Sequence, residues 1–314
     1  MPGVSDHRDD YDEFGLFHEN IAEFDLEISE VPPVARVDTP VDDGNGGTRL
    51  VSALRWGVGE PEFVLLHGGA QNAHTWDTVA LALDRPLLAV DLPGHGHSGW
   101  RSDGAYSPMN LADDVAVVVA ARAPAARVVV GMSLGGLTAM ELATRHPALV
   151  RSLVMVDITP GVNASKTKAI TDFVDGPQEF ASFEDLLART IEHNPTRSES
   201  SLRRGILHNA HQQPDGSWQW RYDRGSHARA QQRGSQDAPS DDQGAAALSP
   251  LWDHFESIGC PITLVRGSLS PVVDHDDVAE ARRRQSGLHV HVVDGAGHSV
   301  QGDRPIELAE ILAA

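Results

Sequence analysis

The chain has 314 residues, of which 45 are aspartate or glutamate and 25 are lysine or arginine, so its formal net charge is −20. A negative surface of this size disfavours nucleic acid and anionic membranes as partners, and no apolar run approaches the roughly 20 residues that span a bilayer. The single cysteine, Cys260, excludes an internal disulfide, and the acidic first residues do not resemble a secretory signal, so we expect a cytoplasmic protein that acts on a small molecule.

The first stretch of the chain combines many carboxylates with a spaced set of apolar residues. Phe14, Phe17, Ile21 and Phe24 follow one another at helical intervals, which places them on one face of a helix. One interpretation is a disordered acidic tail. The other is an arm whose apolar face docks on a cap or on a second copy of the chain, which would make a homo-oligomer. Both interpretations make residues 1–32 an extension of the core.

Strand and helix patterns alternate from residue 33 onward. A β-hairpin is predicted at 34–37 and 48–56, around a glycine-rich turn. Further predicted elements are strands at 63–66, 86–90, 127–130 and 149–156 and helices at 75–83, 110–122 and 137–146. Alternation at this spacing predicts a largely parallel sheet covered by helices on both faces, which is an α/β fold.

Residues 159–249 interrupt this alternation. The pattern there predicts short helices at 166–174, 183–193 and 198–211, and a polar, mobile loop at 225–247. The alternation then resumes, with strands at 262–265 and 290–293 and helices at 273–284 and 305–312. We therefore interpret 33–158 and 250–314 as one core and 159–249 as a cap inserted into it.

The most specific signal is the turn from Gly131 to Gly135, in which Ser133 has a glycine two residues away on each side. A strand pattern leads into this turn and a helix pattern leads out of it. A strained, exposed serine in this context is typical of a nucleophile elbow with the pattern G-x-S-x-G. A phosphate-binding loop is disfavoured, because no Lys-Ser or Lys-Thr pair follows.

A serine nucleophile needs a base within hydrogen-bond reach, and position must select one of the 16 histidines. His298 lies in a glycine-rich loop directly after the last predicted strand. Loops at the carboxyl ends of parallel strands converge at one edge of the sheet, so we expect His298 to lie near Ser133. We assign His67, His95 and His97 to loop structure, and the scattered histidines indicate no metal site.

Several of these pieces together resemble the α/β-hydrolase superfamily, along most of residues 33–314. They are His67-Gly68-Gly69, the loop from Asp91 to Ser98, the elbow at Ser133, and Gly297-His298. The resemblance implies a mostly parallel eight-stranded sheet, a helical cap after the sixth strand, and no cofactor. It also implies that Ser133 is the nucleophile of a Ser–His–acid triad and His298 its general base. The implied oxyanion hole consists of the backbone N–H groups of Gly69 and Leu134.

The acid of the triad departs from the common pattern. Many members of the superfamily carry it after the seventh strand, where this chain has serine in the loop from Gly267 to Ser270. Asp274 follows a few residues later, near a helix start that it could simply cap. Asp157 ends the sixth strand, where some members carry the acid, and there it could fix the tautomer of the histidine. We favour Asp157 and keep Asp274 as the alternative.

These assignments predict hydrolysis of a carboxylic ester or lactone through an acyl-enzyme. Trp218, Trp220, Tyr222 and Phe183 are expected either to line the substrate pocket, which would suit a bulky aromatic or polyketide-type lactone, or to pack inside the cap. Two other functions stay open. One is hydrolysis of a C–C bond in a diketone ring-cleavage product, and the other is a non-catalytic ligand receptor on the same scaffold.

Overall fold

A computed structural model describes residues 11–43, 46–223 and 250–314 of the chain. Its strands are β1 (Val34–Asp42), β2 (Thr48–Trp56), β3 (Phe63–Leu66), β4 (Leu87–Val90), β5 (Val128–Met132), β6 (Leu153–Val156), β7 (Glu179–Phe180), β8 (Ala210–Gln212), β9 (Trp218–Trp220), β10 (Ile262–Gly267) and β11 (His289–Val293). Eight of them form one sheet in the order β1-β2-β4-β3-β5-β6-β10-β11. Only the pairings of β2 with β1 and β4 are antiparallel in this sheet, so its central part is parallel.

Helices cover both faces of the sheet. They are α1 (Phe17–Glu23), α2 (Asp77–Leu83), α3 (Pro108–Arg122), α4 (Leu134–Arg145), α5 (Ala164–Val174), α6 (Phe183–His193), α7 (Glu199–Asn209), α8 (Leu251–Glu256), α9 (His275–Arg284), α10 (Val300–Asp303) and α11 (Pro305–Ala313). Helices α3, α4, α8 and α9 pack on one face, and α1, α2, α10 and α11 pack on the other. The predicted α/β architecture is therefore confirmed.

The sheet follows from the sequence because three of its inner strands, β3, β4 and β6, are apolar at every position. Strands β3, β4 and β6 are buried throughout, as expected for parallel strands covered on both faces. Some boundaries differ from the prediction. Strand β1 continues to Asp42, and β6 begins only at Leu153, because Pro147–Leu149 forms a short 3-10 helix.

The segment between β6 and β10 contains a small sheet that the sequence pattern did not predict. Strands β7, β9 and β8 pair antiparallel beside helices α5, α6 and α7. The helix predicted at 198–211 ends at Asn209, and the chain continues as β8. Strands of two or three residues show no usable periodicity, which explains why only helices were predicted here. The loop predicted at 225–247 lies outside the described residues.

The N-terminal extension, described from residue 11 onward, docks on the core of its own chain. Phe17 is buried, and its ring centroid lies 4.8 Å from that of Trp56 on β2. Asn20 donates a hydrogen bond of 2.8 Å to Thr78 Oγ1 on α2. Within the described residues, this apolar face packs on the core of its own chain rather than on the cap.

The acidic residues of α1, in contrast, reach helix α7. Glu23 forms an ion pair with Arg204, and Glu19 lies 3.2 Å from the guanidinium of Arg203. Burial raises the pKa of Glu23, but the hydrogen bond from Ser198 and the ion pair with Arg204 outweigh this effect and hold that pKa below its usual value. The extension thus contacts both the core and the predicted cap.

Replacing Phe17 with alanine is expected to lower the free energy of unfolding by about 3 kcal/mol, because the ring is only 4% exposed and its loss leaves a cavity beside Trp56. Urea unfolding followed by tryptophan fluorescence measures this change. The control variant Val58→Ala alters a side chain that is 80% exposed and should shift stability by less than about 0.5 kcal/mol. Equal stability of both variants would contradict the docking of the extension on the core.

Candidate active site

Ser133 stands at a sharp turn between β5 and α4. Its backbone has φ 51° and ψ −119°, a region that L-residues rarely adopt, and its side chain is half-buried. A Cβ atom at Gly131 would lie 2.2 Å from the carbonyl oxygen of Gly135, and one at Gly135 would lie 2.3 Å from that of Leu66. Both glycines are therefore required for the chain to turn this tightly.

The loop after β3 lies directly beside this turn. A Cβ atom at Gly68 would lie 3.3 Å from Ser133 Cβ, and one at Gly69 would lie 4.0 Å from Leu134 Cδ2. Leu134 is the first residue of α4, so its N–H is among the groups that a helix leaves unpaired at its N-terminus. The structure thus places Gly69 and Leu134, the residues predicted to supply the oxyanion donors, close to each other and next to the serine.

His298 and Asp157 form a hydrogen-bonded pair. His298 Nδ1 lies 2.8 Å from Asp157 Oδ2, and the carboxylate is fully buried. Because an ionised carboxylate can only accept, we assign the proton to Nδ1. His298 Nε2 is buried and has no hydrogen-bond partner within the described ranges. This nitrogen is therefore able to accept a proton from another group.

Two further groups hold the carboxylate of Asp157. The N–H of Gly267 donates to its Oδ1 at 3.0 Å, and the hydroxyl of Ser270 donates to its Oδ2. Ser270 comes from the loop in which the superfamily pattern expects an acid. Sequence reasoning did not assign it any role. The available signal was the combination of a serine at that position with an aspartate at the end of β6.

Asp274 has a different environment. It is the N-cap of α9, where its carboxylate accepts a hydrogen bond of 2.9 Å from the N–H of Asp277. Its other oxygen lies 2.8 Å from Lys166 Nζ. Burial raises the pKa of Asp274, but Lys166 and the backbone N–H groups outweigh this effect and keep that pKa below its usual value. Within the described residues, no hydrogen bond joins Asp274 to His298.

The loop that carries His298 is fixed by neighbouring residues. The N–H of Gly297 donates to Asp303 Oδ2 at 2.7 Å, and Thr196, between α6 and α7, donates to the same carboxylate at 3.2 Å.

The buried side chain of His67 accepts a hydrogen bond of 2.9 Å from the N–H of Leu92, and burial lowers the pKa of this histidine. His67 therefore joins two loops at the edge of the sheet.

The four aromatic residues predicted as pocket walls pack mainly against one another. The rings of Phe183 and Trp218 lie 5.0 Å apart, and those of Trp220 and Tyr222 lie 5.9 Å apart. Trp218, Trp220 and Tyr222 are buried in the apolar cluster of the inserted segment, and Phe183 packs against that cluster. Of the four, only Trp220 borders the cavity described next.

This cavity lies between helices α6 and α7 and the 3-10 helix Ala73–Trp76. Its lining includes Ala70 and Gln71, the two residues that follow Gly69 in the chain, but not Ser133, Leu134 or His298. Its walls include Arg197 and Gln301, of which Arg197 Nε and Gln301 Oε1 are buried without a hydrogen-bond partner among the described residues. The cavity therefore offers both apolar surface and unsatisfied polar atoms.

Comparison with known proteins identifies the family. The profile of the Alpha/beta hydrolase family matches residues 63–311, and the chain belongs to this family. Over 308 residues it is 42% identical to the esterase Rv0045c of Mycobacterium tuberculosis, covering 96% of this chain and 94% of that relative. It is also 31% identical over 280 residues to a 3-hydroxybutyrate-oligomer hydrolase of Cupriavidus necator, covering 84% of this chain and 92% of that one.

Solved structures agree with these relationships. Two crystal structures of the esterase Rv0045c align at 43% identity, with TM-scores of 0.80 and 0.78, and the first belongs to a study of that esterase's inhibition by transition metals. They cover 96% and 98% of this chain and 98% of their own chains. The protein is an ester-hydrolysing enzyme of the α/β hydrolase family. Among the described residues, no helix is long and apolar enough to cross a membrane.

The variant Gly135→Ala is expected to lower kcat/KM toward an aryl ester by about 100-fold, because the new methyl group would displace the turn that holds Ser133. Initial rates with p-nitrophenyl esters measure the effect, and thermal unfolding shows the accompanying loss of stability. The control Gly287→Ala introduces a methyl group with nothing within 4 Å and should behave like the wild type. Wild-type rates in Gly135→Ala would contradict the steric requirement.

Proposed function

We propose that the enzyme hydrolyses carboxylic esters by nucleophilic attack of Ser133, with His298 as general base and Asp157 as the acid of the triad. The observation that carries this proposal is the pair formed by His298 and the buried Asp157, in which Nε2 of the imidazole has no hydrogen-bond partner among the described residues. That nitrogen belongs to the loop after β11, and Ser133 belongs to the turn after β5, both at the carboxyl edge of the parallel strands.

The proposed reaction proceeds in two halves. His298 Nε2 takes the proton of the Ser133 hydroxyl while the oxygen attacks the ester carbonyl. The N–H groups of Gly69 and Leu134 stabilise the resulting oxyanion, a contribution that is typically worth about 100- to 1,000-fold in rate per donor. His298 then gives its proton to the leaving alcohol, and an acyl-enzyme on Ser133 remains. In the second half, the same base activates water, which releases the carboxylic acid.

Asp157 has an electrostatic role in this proposal. Its carboxylate keeps the Nδ1–H tautomer of His298 and stabilises the imidazolium that forms when Nε2 takes the proton. Because the carboxylate is fully buried, its oxygens need hydrogen-bond donors from the protein. The N–H of Gly267 and the hydroxyl of Ser270 supply two donors besides the histidine. Ser270 is therefore a positioning residue rather than a catalytic one.

The cavity supports an ester that carries polar groups. Arg197 Nε and Gln301 Oε1 in its walls lack partners among the described residues, and a hydrogen-bonding group of the substrate would satisfy them. The sequence suggested a bulky aromatic lactone as the substrate because Trp218, Tyr222 and Phe183 were expected to line the pocket. Since these three pack within the inserted segment, we propose open-chain esters with a polar acyl or alcohol part as the preferred class.

We place this activity in the cytoplasm, acting on a small molecule. The chain has one cysteine and can form no internal disulfide, so an oxidising compartment would not stabilise it in this way. The side chain of Cys260 is only partly exposed. We propose residues 33–158 and 250–314 as the catalytic core and residues 159–249 as the cap that closes over the substrate.

Three variants test the proposed triad. Ser133→Ala is expected to abolish ester turnover, and Asp157→Asn should lower kcat by about 10,000-fold, because an amide at that place would favour the wrong tautomer of His298. Asp274→Asn should leave kcat within about twofold of the wild type and change stability by less than about 1 kcal/mol, because asparagine caps a helix about as well as aspartate. Steady-state kinetics with an aryl ester and urea unfolding measure these effects. If Asp274→Asn lowered kcat far more than Asp157→Asn did, Asp274 would be identified as the acid.

Removing the hydroxyl of Ser270 is expected to lower kcat about tenfold or more with little change in KM, because a hydrogen bond to the buried charge of Asp157 is lost. Ser270→Ala is compared with Ser270→Thr, which keeps the hydroxyl and should recover most of the rate. Equal kcat in wild type and Ser270→Ala would show that the other donors suffice to position Asp157.

A further inference from the structure

Three buried side chains outside the proposed triad converge between the core and the inserted segment. They are His74 in the 3-10 helix Ala73–Trp76, Asp77 at the start of α2, and His208 near the end of α7. Their exposed fractions are only 8%, 2% and 4%. One nitrogen of each histidine and one oxygen of the carboxylate all lie within 4.8 Å of one another. The sequence predicted no metal site, because His208 is far from the other two along the chain.

The two imidazoles are held so that each presents one nitrogen to Asp77. His74 Nδ1 lies 2.9 Å from Asp77 Oδ2, and His208 Nε2 lies 3.9 Å from the same oxygen. The rings are stacked, with centroids 3.8 Å apart. A metal bound at 2.0–2.2 Å to each ligand would need these atoms at about 3 to 3.5 Å from one another. Because a metal ion lies in the plane of the imidazole that binds it, one of the two stacked rings must rotate out of the stack when the ion binds.

Residues of the N-terminal extension hold the outer nitrogen of each ring. His74 Nε2 lies 3.1 Å from Glu13 Oε1, and His208 Nδ1 lies 2.8 Å from the hydroxyl of Tyr11. Histidines that bind metals commonly have their second nitrogen fixed by a carboxylate or another polar group. Glu13 is in turn paired with Arg36, which fixes the carboxylate. The cluster therefore has inner ligands and outer partners in the arrangement that metal sites use.

Asp77 gives a second, independent indication of a bound cation. Its Oδ1 is buried and has no hydrogen-bond partner within the described part of the chain. An unpaired carboxylate oxygen at 2% exposure is costly unless a cation or donor meets it. The nearby guanidinium of Arg204 forms ion pairs with Glu23 and Glu19. Asp77 borders the cavity, which gives an ion a path to this oxygen.

We propose that His74, Asp77 and His208 bind one divalent transition metal ion, such as Zn²⁺, which ties α7 to the core. Two imidazoles and one carboxylate suit first-row transition metals, whereas Ca²⁺ and Mg²⁺ prefer oxygen ligands alone. All three residues border the cavity, so a water molecule can complete the four ligands of the ion. The site shares no residue with Ser133, His298 or Asp157, so its role is structural or regulatory.

The test uses the full-length enzyme, freed of metal by dialysis against a chelator and titrated with Zn²⁺ in a calorimeter. We expect one equivalent to bind to the wild type, and at least about tenfold weaker binding in Asp77→Asn and in His208→Gln. The matched control His289→Gln alters an exposed histidine on β11 and should bind like the wild type. The variant His298→Gln should also keep the equivalent, because the triad histidine is not a ligand. Circular dichroism checks the fold of each variant.

Titration with Co²⁺ measures binding to the wild type directly. It depends neither on catalysis nor on a variant that folds poorly. Nitrogen and oxygen ligands in a four-coordinate site should give intense visible absorption bands in the wild type, which should be lost in His208→Gln. The proposal is overturned if the wild type binds no equivalent of either ion. It is also overturned if binding persists in both Asp77→Asn and His208→Gln, or if it is lost in His298→Gln instead.

Discussion

The hydrogen bond of 2.8 Å between His298 Nδ1 and Asp157 Oδ2 joins two loops that lie far apart along the chain. It depends on a fully buried carboxylate at the end of β6, which two further donors hold in place. The N–H of Gly267 and the hydroxyl of Ser270 donate hydrogen bonds to its two oxygens and so fix the orientation of the carboxylate. The proposed chemistry at Ser133 depends on this arrangement. An imidazole that was rotated, or whose Nε2 already had a hydrogen-bond partner, could not accept the serine proton.

The N-terminal extension has a structural role that links several parts of the enzyme. Phe17 packs on the core, while Glu19 and Glu23 pair with arginines of α7. Glu13 connects Arg36 with His74, and Arg36 also contacts buried Asp91 in the loop after β4. These contacts give the acidic residues of this segment specific partners within the chain, in addition to their contribution to the negative net charge.

Much of the fold could be predicted from the sequence, because inner strands such as β3 and β4 are short runs of consecutive apolar residues and the elbow at Ser133 needs glycines at fixed spacing. The glycine-rich loop after the last predicted strand also placed His298 at the carboxyl edge of the sheet, where the structure has it. The partner of the N-terminal apolar face could not be predicted, since periodicity defines a face but not the surface that it meets. Ser270 and the cluster around Asp77 were missed for a similar reason, because their contacts join residues that are distant in the chain.

The most direct measurement of the proposed mechanism is covalent labelling with an aryl phosphonate ester followed by peptide mass mapping. The phosphorus atom is attacked by the activated serine oxygen, the aryl alcohol leaves, and a stable phosphonyl ester remains on the nucleophile. Our account predicts one label per chain, located on Ser133, and no label at that peptide in Ser133→Ala. A single stoichiometric label on a different residue, or full labelling of Ser133→Ala, would contradict it.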